Sequence, residues 1–160
     1  MRRSPSWIKL RSEPTPRLGS GRICTVSKVF FDTNILVYQL DKRFPKKQAI
    51  CRSLVMEAAS RGEAVVSTQV LQEFYVVAAS KLRVVPVLVK GILHRLENME
   101  VVTVTTDLIN EAIDISMQDK VSFWDALIVA AAESAKCGVL FSEDFADGEI
   151  LRGVKIKNPL

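Results

Sequence analysis

The stretch KVFFDTNILVY, residues 28–38, decides the fold. Val29–Phe31 is a short uninterrupted apolar run, as expected of a strand buried on both faces, and it stops abruptly at Asp32. Helical spacing takes over within a few residues, giving a short helix over Ile35–Leu40. A strand that runs straight into a helix is the opening of a βα unit, and the rest of the chain repeats it.

Working outward, Lys46–Ser60 reads as a longer amphipathic helix with Ile50, Leu54 and Ala58 on one side, ended by Gly62. Ala64–Val66 is a second strand, after which Ser67 or Thr68 caps a helix reaching about Leu82. Pro86 opens another helix through Met99, at a position where proline's missing N–H costs nothing. Val101–Val104 is a third strand. Helical spacing returns over Leu108, Ala112, Ile115 and Ser116, with Asp107 as its cap. A nearly all-apolar helix spans Phe123–Ala135, Val139–Phe141 is a fourth strand, and Val154–Ile156 a last short one. Strands alternating with helices predict an α/β domain with a mainly parallel sheet.

Before Lys28 the composition is different. Residues 1–26 carry six Lys or Arg against Glu13 alone, with Pro5, Pro14, Pro16 and the Gly19–Gly21 turn, and read as a disordered basic leader. An Arg- and Ser-rich leader also has the composition of an organelle transit peptide. A valine codon can serve as a bacterial start, and initiation at Val26 would leave the leader outside the natural product. The remaining 27–160 hold 16 basic and 17 acidic residues, so the overall charge of +4 belongs to the leader and not to the domain. Nucleic acid, if bound, must be held by a local basic rim and a metal instead of by bulk charge.

At 48% hydrophobic residues, 160 residues suffice for one core without disulfides. Three widely spaced cysteines and one histidine exclude a zinc framework and suit a reducing cytosol; Cys51 and Cys137 fall in helical apolar patterns as small buried thiols. No run is long enough for a membrane helix, and the start lacks a secretory apolar core. A cytoplasmic protein is expected, with no membrane partner.

Four carboxylates stand against this apolar background: Asp32 after the first strand, Glu73 in STQVLQEF, Asp125 in SFWDALI, and Asp144 in LFSEDF. Charged groups beside apolar runs require compensation, and no comparable set of buried-looking cations is present; a divalent ion would supply it. Each has a plainer reading. Asp32 can cap the following helix, Glu73 can be a solvated edge residue, Asp125 completes a Ser-x-x-Asp capping box with Ser122, and Asp144 can be turn chemistry, with Glu143 and Asp147 as competitors. What the set adds is position, since all four are compatible with one rim at the carboxyl ends of the strands. Lys42, Arg43, Lys46 and Lys47 could hold phosphates there, or form an ordinary solvated turn. His94, alone in GILHRLEN, reads as a surface residue.

VFFDTNILVY, STQVLQEFYVV, SFWDALIVAAA and VLFSEDF together resemble the PIN-domain ribonucleases, and in particular the VapC-type toxins of toxin–antitoxin pairs. The likeness covers nearly all of 28–156, in order. It implies a three-layer α/β/α sandwich with a mainly parallel sheet of about five strands. It further implies a Mg²⁺- or Mn²⁺-dependent endoribonuclease leaving 5′-phosphate and 3′-hydroxyl ends, homodimerisation, and inhibition by a cognate antitoxin. Asp32, Glu73 and Asp125 match the family's acidic triad, the expected metal ligands and catalytic residues. Asp144 matches its fourth acidic position, and Thr33, Asn34 and Ser142 stand at supporting polar positions. The leader is a departure that the family does not need.

Other readings are a PIN-like RNA-binding or scaffold protein without activity and a haloacid-dehalogenase-like phosphatase. The latter needs a second aspartate where Asn34 stands.

Overall fold

The computed structural model describes residues 27–160. The expectations for 1–26, disorder, transit function and a start at Val26, lie outside the described residues. Twelve elements follow in chain order: β1 (Val29–Phe31), α1 (Thr33–Tyr38), α2 (Pro45–Ser60), β2 (Ala64–Ser67), α3 (Thr68–Ser80), α4 (Pro86–Leu96), β3 (Glu100–Val102), α5 (Thr106–Asp119), α6 (Phe123–Ser134), β4 (Val139–Phe141), β5 (Ile150–Leu151) and β6 (Val154–Lys157). They form one six-stranded sheet in the order β3-β2-β1-β4-β6-β5.

Five of these strands are parallel, as the alternating pattern predicts. β5 is an addition. It pairs antiparallel to β6 through a two-residue turn at Arg152 and Gly153, whose φ values of 51° and 80° are those a tight hairpin requires. Nothing in two residues of strand announces itself by periodicity.

The helices lie in two groups. α6 packs on β2, β4 and β6 and against α5, while α1, α2 and α3 pack together with α4 beside α3. Ala126–Ala132 of α6 are all buried, which explains why that helix is apolar on every side. Phe30, Phe31, Val65, Val66 and Leu140 fill the sheet's interior. In α2 the buried stripe is Cys51, Val55 and Ala58, with Ile50 exposed, so the expected stripe is turned by one residue. The third strand is Glu100–Val102 instead of Val101–Val104, and α5 is capped by Thr105, whose hydroxyl accepts from Leu108 N–H at 3.3 Å, with Asp107 in the first turn. Ser67 caps α3. Among the described residues no helix is long and apolar enough to cross a membrane.

The topology places a crevice. From β1 the chain moves one way to β2 and β3, then returns to lay β4 on β1's other side. Loops after β1 and β4 therefore diverge, and in open parallel sheets the gap left at such a reversal, beyond the carboxyl ends, is where ligands bind.

Candidate active site

Asp32 sits at that reversal. It is 6% exposed and serves as N-cap of α1, its Oδ1 accepting from Thr33 N–H at 2.6 Å. Its Oδ2 accepts from the Ser142 hydroxyl at 2.6 Å and the Asn34 amide at 3.2 Å. Capping and the site are thus two ends of one carboxylate. Burial pushes its pKa up to about 6; the hydrogen bonds from Ser142 and Thr33 oppose that rise, while the nearby charges of Asp144 and Glu73 add to it.

Two adjacent residues bind the other carboxylates to Asp32. The Thr33 hydroxyl donates to Glu73 Oε2 at 2.7 Å, and Asn34 Nδ2 donates to Asp144 Oδ2 at 2.9 Å. Glu73 lies on α3 beside the buried stripe Val70, Phe74 and Ala78. Its other oxygen accepts from Gln69 Nε2 at 2.9 Å. Asp144 is held further by its own N–H, which donates to Ser142 Oγ at 3.1 Å. Three loop or helix segments thereby converge on one hydrogen-bonded frame. They border an open cleft of about 360 Å³, which reaches from Glu73 and Asp144 to Lys81.

Asp125 stands apart from this frame. Its N–H donates to Ser122 Oγ at 3.2 Å, the N-cap expected from Ser-x-x-Asp, but its carboxylate accepts from that same hydroxyl at 2.7 Å where a full capping box would take the Ser122 backbone N–H. Its link to the others runs through Gln69, whose amide, besides holding Glu73, approaches the Trp124 carbonyl at 3.4 Å. Among the described residues no three His, Cys, Asp or Glu side chains are gathered tightly enough to form a ready-made metal cage.

The competing acids of the β4–β5 loop are occupied. Glu143 is paired with Lys47 at 2.7 Å and accepts from the Tyr38 hydroxyl at 2.6 Å. Burial alone would raise its carboxyl, but these two donors outweigh it and hold the pKa below the usual range. Asp147 accepts from Asn158 N–H at 2.9 Å. Asp144 alone of the three meets Asn34 and Ser142.

The basic turn is divided. Lys47 is committed to Glu143 and Tyr38, and Arg43 makes a two-pronged contact with buried Asp41 at 2.9 and 2.7 Å. Lys42 and Lys46 are exposed. His94 is exposed, with Glu97 Oε2 3.3 Å from its Nδ1. Burial pushes the thiols of Cys51 and Cys137 up to about 11 and about 12, leaving both inert.

Gln69 is the residue that sequence reasoning missed. It is 5% exposed, and its one signal was the spacing of four from Glu73 along α3. Gln69 Oε1 and Asn34 Oδ1 are both buried, and no donor among the described residues reaches either oxygen. Oxygen ligands, crowded carboxylates and two orphaned amide oxygens fit a hard divalent cation with its waters, which needs only one or two carboxylates in direct contact.

A family model for the PIN domain matches residues 29–146, and the chain belongs to that family. Solved structures of the same fold include a toxin–antitoxin complex from Klebsiella pneumoniae (21% identity, TM-score 0.61, covering 83% of this chain and 98% of that one). VapC20 of Mycobacterium tuberculosis, a sarcin–ricin loop cleaving toxin, is 18% identical with a TM-score of 0.57, covering 73% and 92%. The DNA-bound VapBC of Salmonella typhimurium is 19% identical with a TM-score of 0.59, covering 81% and 96%. No curated protein matches the chain in sequence.

Proposed function

We propose that this chain is a Mg²⁺- or Mn²⁺-dependent endoribonuclease that hydrolyses RNA phosphodiester bonds as the toxin of a toxin–antitoxin pair. One observation carries the reading: Asp32, Glu73 and Asp144 are tied by Thr33 and Asn34 into a single frame at the crevice where the sheet's connections diverge. Above pH 6 that frame concentrates negative charge beside a buried group, and a cation is its natural complement.

Asp32, Glu73 and Asp144 would hold the ion, with Asp125 closing the site from α6. When bound, it would polarise the scissile phosphate and activate a water for in-line attack. The chain's own residues do the positioning. Ser142 and the Thr33 N–H keep Asp32 ionisable near neutrality, Thr33 fixes Glu73, and Asn34 sets the spacing between Asp32 and Asp144. The phosphatase alternative loses its support with PIN membership and with Asn34 in place of a second aspartate.

Toxin–antitoxin complexes among the structures of similar fold support an antitoxin partner for this chain. Asp32→Asn, Glu73→Gln and Asp125→Asn should each abolish Mg²⁺-dependent cleavage of RNA by the purified protein while leaving the fold intact. Full cleavage by Asp125→Asn would remove Asp125 from the set; full cleavage by Asp32→Asn would remove the site.

A second reading has an observation of its own. Because among the described residues no three His, Cys, Asp or Glu side chains are gathered tightly enough to hold an ion as they stand, a PIN-like scaffold that binds RNA without cutting it is the rival. RNA 5′ ends sequenced after brief expression, beside Asp32→Asn, separate the two, since a scaffold generates no new ends.

A further inference from the structure

The acidic cleft does not end at its carboxylates. Asp41, Arg43, Lys81 and Leu82 line it and also line a second groove of about 370 Å³, which continues past Lys42 and Arg83. The two form one trough, acidic at the end lined by Glu73 and Asp144 and basic at the other.

Four cations border the basic half. Lys42 and Arg43 follow α1, while Lys81 and Arg83 follow α3, so residues about 40 positions apart in sequence face a common groove. The only carboxylate lining it is Asp41, which is buried and neutralised: its oxygens accept from Arg43 Nε, NH2 and backbone N–H. Among the described residues Lys42, Lys81 and Arg83 enter no ion pair. Like charges facing a groove repel, and ordinary surfaces intersperse the signs.

The α3 side of the groove is also fixed in shape. Leu82 N–H donates to Val77 O at 3.1 Å and Val84 N–H to Ala78 O at 3.0 Å, folding the loop back on its helix. Between them Arg83 has φ of 54°, a left-handed conformation that side-chain-bearing residues rarely adopt and that costs them free energy. Lys120, Lys136 and Arg152 share that conformation, so it fixes the shape of this loop without by itself singling out Arg83.

We propose that this trough is the track of the RNA strand flanking the cleaved bond, with Lys42, Lys81 and Arg83, the cations left unpaired there among the described residues, gripping its phosphates and Arg43 spent on Asp41. The proposal rests on the nuclease reading and deepens it, naming the exit path of the substrate. Continuity favours an RNA strand over an acidic peptide. A strand whose scissile phosphate lies beside Asp32 must leave the cleft through an open end, and this end offers positive charge. The assignment also replaces Arg43, Lys46 and Lys47 of the basic turn by Lys81 and Arg83, which the sequence keeps far away.

The test uses full-length Asp32→Asn protein, so that binding is read without cleavage, and a fluorescent single-stranded RNA oligonucleotide over a series of salt concentrations. Each phosphate contact removed lowers the slope of log affinity against log salt by about 0.7 for a single strand. Lys81→Ala with Arg83→Gly should therefore lower it by about 1.4 and weaken binding several-fold at about 0.15 M salt. Arg83→Gly suits the left-handed backbone, and Lys81→Glu is a second variant should the first pair lose its thermal transition. Lys136→Ala with Lys155→Ala, at the other end of the sheet, should leave the slope unchanged.

An unchanged slope in both trough variants overturns the proposal, as does loss of binding to a polyglutamate peptide with RNA binding intact, which would make the trough a protein-docking surface. If otherwise wild-type protein still cleaves RNA while carrying Lys81→Ala and Arg83→Gly at undiminished kcat/KM, the track is wrong and the nuclease reading stands. If unmodified protein cleaves no RNA, the nuclease reading fails whatever the slopes show.

Discussion

Asp32 carries the site's electrostatic strain, and its hydrogen bonds determine how much of that strain survives. Its ordinary pKa is 3.8 and burial pushes it up to about 6, so between those values the folded protein holds more protons than the unfolded chain. Stability in the absence of metal therefore falls as pH rises from about 4 to about 6 and is level above, an effect on the order of 2–3 kcal/mol. Asp32→Asn should abolish that fall, seen as a urea midpoint that no longer drops across the window in the presence of a chelator. Equal pH profiles for the two proteins would show Asp32 to be unstrained. Ser142 supplies the largest opposing interaction, a 2.6 Å hydrogen bond to the ionised oxygen. Ser142→Ala should move the window upward and shift the acid limb of RNA cleavage to higher pH, whereas Ser142→Thr, which keeps the hydroxyl, should restore both.

Among the elements, α6 combines packing and chemistry most closely. Its first turn is closed by Ser122 and Asp125, and its next two turns are buried throughout. Ser122→Ala should cost about 1 kcal/mol in chemical denaturation, the usual worth of such a cap, and should leave Asp125 without its hydroxyl donor. Ala130→Leu, placing a large side chain in the buried stretch, should cost about 1–3 kcal/mol. Both β1 and α6 were legible in the sequence because length and flanks separate them: three apolar residues stopped by Asp32 are too short for a helix, and the run from Phe123 to Ala135 behind Ser122 is too long for a strand. The stripe of α2 was not, since Ile50, Leu54, Ala58 and Cys51, Val55, Ala58 fit the helical period equally well, and only tertiary contact puts the second inward. Likewise Asp32, Asn34 and Ser142 could be placed from strand ends, whereas Gln69 could not. A buried glutamine looks like any polar residue until its partners, Glu73 and the Trp124 carbonyl, are brought to it. Lys81 and Arg83 escaped for the same reason, because the groove they share with Lys42 exists only after folding.

For the whole molecule, the carboxylates come from four places, the ends of β1 and β4 and the helices α3 and α6, so an ion held among them would bind the native state and not the unfolded chain. Ligation of that kind stabilises by mass action, by about 2.7 kcal/mol at a hundredfold excess over Kd. For a chain of this size that is a rise in melting temperature of roughly 5–10 °C. Adding Mn²⁺ or Mg²⁺ to chelator-treated protein should produce such a rise, saturating with concentration. The rise should be lost in Asp32→Asn and reduced in Glu73→Gln and Asp144→Asn, because each removes a charge from the frame tied by Thr33 and Asn34. Asp125→Asn discriminates most sharply. Among the described residues its carboxylate is hydrogen-bonded only to Ser122 and lies outside that frame, so a reduced metal shift in this variant would show that α6 contributes to the ion's site. An undiminished shift would confine the metal to the β1, α3 and β4 side. No shift in the wild-type protein at any concentration would leave a crowded acidic crevice without an ion, and the scaffold reading would replace the nuclease.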